Sequence, residues 1–379
     1  MSARAANTQR RRLWWTILAL FLGLLAPEVI LRFLIFSDSD LARTRGAGLR
    51  EPANFAEARL DDEFWRLNWK LQGKKSGTGP LPSHELLGWT GHTLDAESLL
   101  PRLAEPLEGR RPVLLYGASY ASCVVPAEDC FQGLMAASDL AGKYVLHNLG
   151  VGGYGIDQIL LLMQATLDHY KGQNPIVIVM PVLDSDFNRA SLSFRSRPKP
   201  RFRQIRGKLQ PIEPVFMGGP DAYLESHGVG ITSYVWNYLT HGANLLPRAW
   251  KIQLQGREQR FQEQGNLVNA ILDQMHVELK ARELDSFFVL CTSPRGLPPN
   301  GLDAMERRVV RRFLMNGEAF LSSREFIEAA LEAGPLGMSE LFITRGTVGR
   351  NHPTAEGNKV LFKAIRAGLA GQRTTDQPF

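Results

Sequence analysis

Cysteine is scarce in this chain: three in 379 residues, at Cys123, Cys130 and Cys291. That is too few for a disulfide framework, and no Cys-x-x-Cys pair is present, which argues against a thiolate metal site. Outside the cytoplasm Cys123 and Cys130 could pair, but two small buried hydrophobes are the favoured reading. No internal repeat is found. The formal charge of +6 is modest for this length. It is concentrated in Arg10–Arg12 and in 195–208, without the aromatic platforms on a recognisable fold that a nucleic-acid binder carries, so a nucleic-acid partner is not expected. Gly150-x-Gly-Gly-x-Gly155 lacks both the Gly-Lys-Ser/Thr ending and the dinucleotide spacing, which excludes a phosphate loop. What is plentiful is apolar residue, 44% of the chain, enough for one large core and a smaller lobe.

Residues 1–12 are polar and basic without a single acid, and they are followed by an almost purely apolar run. Leu13–Ala26, extended by Pro27–Phe36 with Glu28 and Arg32, is long enough to span a bilayer. This predicts a transmembrane anchor at 13–36. Glu28 and Arg32, at i and i+4, can pair near its outer interface. The arginines on the amino side predict a cytoplasmic tail at 1–12 and the body of the chain on the other side. A cleaved signal peptide is the alternative, but no small-x-small site follows Ala26 and there is no lipobox cysteine. Residues 37–84, rich in charge, Gly and Pro, read as a tether with a short helix around 55–71. Residues 371–379 read as a loose tail.

Between them lies an alternation of strands and helices. Val113-Leu-Leu-Tyr116 reads as a buried strand, and Gly117 then permits a sharp turn that leaves Ser119 just past its carboxyl end. A second strand runs into the glycine cluster His147-Asn-Leu-Gly-Val-Gly-Gly-Tyr-Gly-Ile-Asp-Gln158. A third, Pro175–Met180, ends in the polar run Asp184-Ser-Asp-Phe-Asn-Arg189. Ser286–Thr292 reads as a fourth strand and Leu341–Thr344 as a short extended run. Helices are predicted at 128–140, 156–170, 266–284, 303–314, 322–331 and 354–369. The fold class is α/β: three layers around a central parallel sheet, where ligands bind beyond the carboxyl ends of the strands.

Periodicity fails from 190 to 265, which reads as an insertion. Seven cations fall between Arg195 and Lys208 without one acid. They suggest a surface for an anionic polymer or lipid headgroups, or a solvated loop, the second being favoured. Tyr223, Tyr234, Trp236, Tyr238 and Trp250 could form a sugar-stacking wall, but such spacing belongs more often to core.

Taken together, Gly117-Ala-Ser119, the run Asn148–Gln158, Leu86-Leu-Gly-Trp89 and Asn351-His-Pro353 before a terminal helix resemble the SGNH (GDSL-like) hydrolases. The closest likeness is to membrane-anchored bacterial members, and it covers roughly 85–370. The resemblance implies an α/β/α domain of SGNH or flavodoxin-like type. It makes Ser119 the nucleophile and His352 its general base. The backbone N–H groups of Ser119 and Gly153 form the oxyanion hole, with Asn148 and Asp157 supporting the turns. Such chemistry needs no metal or organic cofactor: a base takes the serine proton and backbone donors hold the developing oxyanion. Asp184 and Asp186 without a nearby His are weak metal ligands. The substrate implied is an O-acyl ester, such as acetyl on an envelope polysaccharide, with the domain outside the inner membrane of a bacterium.

Three positions depart from the family pattern. Ala118 replaces the Asp before the nucleophile. The third block's oxyanion amide falls on Asp184 or Ser185. Gly349 stands where an Asp, three residues before the His, would orient the base, and removing such an acid can cost about 10⁴ in rate. These departures raise a second expectation, a domain that keeps the fold and binds a glycan or an assembly partner without turnover.

Overall fold

The computed structural model describes residues 14–16, 23, 25–58, 61–73, 81–102, 104–212, 215–243, 245–254, 256–297, 301–302, 304–345 and 349–373. They divide into two compact units, one made of 1–77 and 220–259, the other of 78–219 and 260–379.

The larger unit is organised on five strands: β1 Arg111–Gly117, β2 Tyr144–Gly150, β3 Ile176–Met180, β4 Asp285–Leu290 and β5 Phe320–Ser322. They form one sheet in the order β2-β1-β3-β4-β5, every pairing parallel. Gly117 lies opposite both Gly150 and Met180, so the first three strands end level with one another. Alternate residues feed two cores, because side chains in a strand point to opposite faces. Leu114, Tyr116, Val177, Val179, Phe288 and Leu290 pack on one side with residues from the helices Ile156–Thr166, Arg257–Ala281 and Ala304–Asn316. Val113, Leu115, Ile176, Ile178, Phe287 and Val289 pack on the other with residues from Phe131–Ala136, Ser323–Glu332 and Ala355–Leu369. Both faces are covered, which is why the strands read as continuous apolar runs. This is the expected three-layer α/β arrangement with a central parallel sheet. The chain leaves β1 for β2 on one side and returns to the other side of β1 for β3. That reversal opens a crevice between the carboxyl ends of β1 and β3.

Several predicted elements change length for local reasons. The helix expected at 128–140 is reduced to Phe131–Ala136, closed where Ser138 turns its hydroxyl back to the Met135 carbonyl (2.8 Å). Of the extended run expected at 341–344, Leu341 closes the helical turn Met338–Leu341, and from Phe342, which bridges Pro353, the chain is extended. Glu340 drives that turn by accepting from the Gly337 N–H (2.9 Å). The terminal helix holds, with Thr354 as its N-cap accepting from Gly357 (3.1 Å). Cys123 and Cys130 are joined in a disulfide, whereas two small buried hydrophobes had been favoured; Cys291 is free and buried.

The smaller unit corrects the reading of 37–84 as a tether. Its core is Ile35, Phe55, Leu67, Ile231 and Tyr234, so the apparent tether and part of the apparent insertion fold together. The polar composition of 37–84 hid this, since few apolar residues suffice when a distant segment supplies the rest. Residues 25–36 are helical. The Glu28 carboxylate pairs with Arg32 (2.7 Å). It also accepts from the Ser233 hydroxyl and the Tyr234 and Val235 N–H groups, each at 3.0 Å, at the start of the helix Tyr234–Asn237. Of the aromatics expected in the insertion, Tyr223 and Tyr234 are buried in this unit, whereas Trp236 and Trp250 are exposed.

Among the described residues no helix is long and apolar enough to cross a membrane. The predicted span at 13–36 is only partly covered, because 13, 17–22 and 24 lie outside the described residues, as do 1–12 and 374–379.

Candidate active site

Ser119 follows β1 after the single residue Ala118 and opens the short helical turn Ser119–Ser122, so the geometry brings its hydroxyl to the sheet's carboxyl edge. The turn is fixed from beneath by β2. Asn148 donates its amide to the Ala121 carbonyl (2.7 Å) and accepts from the Gly150 N–H (2.8 Å). The Val151 N–H donates to the Gly117 carbonyl (3.1 Å). A Cβ at Gly150 would overlap Ser122 N and the Ala121 carbonyl carbon, so only glycine lets the second block lie flat on the first. Asn148 thus ties the turn Ser119–Ser122 to the end of β2.

The loop then rises through Gly153, whose φ of +88° is open to glycine at little cost. Beyond it Gln158 accepts from the Gly155 N–H (3.2 Å) and donates to the Leu87 carbonyl (2.7 Å). The Tyr154 hydroxyl donates to the Trp89 carbonyl (2.5 Å), and the Trp89 indole donates to the Gly152 carbonyl (3.3 Å). The short Leu86–Trp89 motif is therefore a clamp on the glycine block, a role its sequence did not disclose.

Asp157 is fully buried and forms an ion pair with Lys199, itself buried. The Lys199 ammonium also donates to the carbonyls of Leu192 (2.9 Å), Pro200 (3.0 Å) and Arg189 (3.2 Å). Burial pushes the Asp157 carboxyl up, opposed by the Lys199 charge. This corrects the solvated-loop reading at Lys199, whereas Arg201, Arg203, Arg206 and Lys208 of the same run are exposed. Charge in a sequence suggests exposure, but here Lys199 supplies the counter-charge of a buried acid, and Phe202 of the same run joins the core.

At the β3 end, Asp186 is fully buried. It accepts from the Val182 N–H (2.8 Å), the Ser185 hydroxyl (2.9 Å) and Arg189 (2.8 Å). Arg189 also donates to the Tyr154 carbonyl (2.8 Å), tying the third block to the second. Of the two positions considered for the third oxyanion contact, Ser185 gives its hydroxyl proton to Asp186. Asp184 is an acceptor, taking the Ser293 hydroxyl proton (2.6 Å).

His352 reaches the same edge on the loop before the terminal helix. Tyr120, next in chain to Ser119, lies with its ring 5.6 Å from the imidazole and donates its hydroxyl to the Asn351 carbonyl (2.7 Å). The imidazole Nδ1 faces the Arg350 carbonyl at 3.2 Å. A carbonyl can only accept, so Nδ1 carries the proton and Nε2 keeps its lone pair. Among the described residues the ring pairs with no carboxylate. Burial lowers the His352 pKa, and the Arg189 and Arg195 charges lower it further against the backbone contacts. His147, by contrast, is packed on Tyr170 (2.9 Å) as a core residue. Among the described residues no group of three or more metal-ligating side chains converges.

The arrangement holds a hydroxyl, an imidazole with a basic Nε2 and a glycine turn at one sheet edge. Lys199, which anchors the glycine block through Asp157, carries no signal in the sequence, because a run of cations does not tell which one is buried.

Neither a protein-family model nor a curated protein sequence matches the chain. Among solved structures it is similar to an acetylxylan esterase from Geobacillus stearothermophilus, at 13% identity and a TM-score of 0.37 over 67% of this chain and 92% of that one. A second acetyl xylan esterase aligns at 13% identity and a TM-score of 0.37, over 68% and 99% of the two chains. A lipase/acylhydrolase from Enterococcus faecalis aligns at 12% identity and 0.34, over 71% and 100%.

Proposed function

We propose that this chain is an SGNH-type ester hydrolase, or an acyltransferase of the same chemistry, acting on O-acyl groups such as acetyl on a polysaccharide. The observation that supports the reading is Tyr120, the residue after Ser119, whose ring lies 5.6 Å from the His352 imidazole and whose hydroxyl donates to the adjoining Asn351 carbonyl. Ser119 attacks the acyl carbonyl while His352 Nε2 takes its proton. The N–H groups of Ser119 and Gly153 receive the oxyanion, and the imidazolium then protonates the leaving alkoxide. Water, or a second hydroxyl in a transferase, releases the acyl group. The Arg350 carbonyl does the orienting that an Asp does in a full triad: it fixes the tautomer but adds no negative charge to steady the imidazolium. A slow enzyme is expected. The apolar segment that begins at Leu13 is proposed to hold it in a bacterial inner membrane, with 1–12 in the cytoplasm and the α/β unit on the periplasmic or outer side.

A second reading is favoured by the lack of a carboxylate partner for His352 among the described residues: a binding domain that holds an acylated glycan or an assembly partner without turnover. Labelling with a fluorophosphonate probe separates the two. The hydrolase reading expects labelling of the full chain that disappears in Ser119→Ala and falls strongly in His352→Ala. Folded protein that takes no label would move the assignment to the binding reading.

A further inference from the structure

The third block leaves an opening in the oxyanion hole. The Ser185 hydroxyl has one proton and spends it on Asp186, and Asp184 presents a carboxylate that accepts from Ser293. A developing oxyanion at this edge would therefore meet no donor from the side chains at 184 and 185.

Arg195 stands at the other side of the same glycine turn. A Cβ built on Gly153 would lie 3.0 Å from the Arg195 Nη1, with Trp89 next at 3.5 Å. The guanidinium thus lies beside Gly153, whose N–H is the second oxyanion donor in the hydrolase reading. Its loop is closed on itself. The Arg195 N–H donates to the Arg197 carbonyl (2.9 Å), the Lys199 N–H donates to the Ser193 carbonyl (2.9 Å), and Phe194 bridges Pro198. Lys199 then pins the loop to Asp157, in the first turn of the helix that begins three residues after Gly153. The buried ion pair therefore fixes Arg195 relative to the glycine turn. Burial and the neighbouring Arg189 draw the Arg195 pKa down to about 9, against the pull of Asp186, which still leaves it a cation near neutral pH.

We propose that the Arg195 guanidinium is the third oxyanion donor, in the place the family gives to an amide. This rests on the hydrolase reading above. In the step concerned, the bond from Ser119 Oγ to the acyl carbon forms as the carbonyl π pair moves onto oxygen, and the serine proton passes to His352 Nε2. Arg195 keeps all its protons and donates hydrogen bonds to the new oxyanion. On collapse the ester C–O bond breaks and the alkoxide takes the proton back from His352. The full charge holds the oxyanion strongly, and it does so while disfavouring the imidazolium formed at the same moment.

The test is steady-state kinetics on aryl acetates and fluorophosphonate labelling rates, with full-length wild type, Arg195→Ala and Arg195→Lys. Loss of an oxyanion donor predicts that Arg195→Ala lowers kcat about 10²–10³-fold while KM moves less than about threefold. The labelling rate should fall in parallel, and Arg195→Lys should recover part of the loss. Removing the cation should also move the acid limb of kcat/KM to higher pH, since Arg195 depresses the His352 pKa; that shift reads its nearness to the imidazole, and the kcat loss reads the donor role. A change in KM alone would overturn the proposal and assign the guanidinium to a ground-state anion. So would unchanged kcat in either variant, and if Arg195→Ala does not fold, Arg195→Lys decides between these outcomes. Folded wild type that takes no label overturns the hydrolase reading and this inference together; wild type labelled at Ser119 with both variants equally reactive overturns this inference alone.

Discussion

Ser119 and Gly153 stand on a frame of buried hydrogen bonds running from strand to helix, whereas the His352 imidazole is held by one backbone carbonyl and the edge of a tyrosine ring. On the first side Asn148, Gln158, Tyr154 and the Asp157–Lys199 pair are all buried or nearly so, and each ties one element to another. On the second side the chain is well held, for Ile343 and His352 exchange contacts with the loop backbone (2.8–2.9 Å), but the ring itself has little. The comparison teaches that, in the proposed mechanism, the half which would place the nucleophile and the oxyanion is fixed by the fold. The half which would supply the base has no carboxylate on its imidazole among the described residues.

The largest expected effect comes from breaking the frame at its ion pair. Lys199→Met leaves Asp157 buried without its counter-charge, and breaking a buried pair in this way costs about 3–5 kcal/mol. Denaturant unfolding should show it, and Asp157→Asn in the same chain should return a good part of the loss by removing the orphaned charge. If Lys199→Met were as stable as wild type, the pair would not be the anchor of the 193–199 loop. A smaller loss is expected at Asn148→Ala, which leaves the Ala121 carbonyl and the Gly150 N–H without their partner, about 1–3 kcal/mol. Fluorophosphonate reactivity at Ser119 should fall with it, because the turn bearing the nucleophile rests on that amide. Reactivity unchanged at reduced stability would mean that the turn keeps its shape from the β1–β2 ladder alone.

Much of this frame was legible in the sequence. The buried strands announce themselves as apolar runs, and the block from Asn148 to Gln158 carries its glycines and polar side chains at the spacing the turns need. Ser119 and His352 could be singled out only through order and resemblance, as a lone Gly-x-Ser or a lone His says almost nothing. Three features stayed hidden for physical reasons. Lys199 lies in a run of cations, and charge patterning cannot tell a buried cation from a solvated one when its acid is over forty residues away. The smaller unit joins 1–77 to 220–259, so neither segment shows a complete apolar pattern by itself. The three-residue β5 is too short for periodicity to reveal; it exists because β4 offers it a free edge.

The smallest effect, and the sharpest test of the base side, is expected from putting back the acid that Gly349 replaces. Gly349 has φ +70°, and a Cβ there would meet the Ile343 side chain at 3.2 Å and Val124 at 3.5 Å. A carboxylate at 349 would thus start out among apolar neighbours, with a backbone strain and desolvation cost of about 1–3 kcal/mol. The wild-type acid limb of kcat/KM should lie below the ordinary histidine range, since burial and the two arginines disfavour the imidazolium. A carboxylate that reached the ring would stabilise the imidazolium, raise that pKa and move the limb to higher pH. Gly349→Asp is therefore expected to lower stability slightly and leave the limb where it is. A limb that moves up together with a higher kcat would show that the loop can reshape around an acid. The weakness of the base side would then be a missing side chain, rather than the path the backbone takes past Ile343 and Val124.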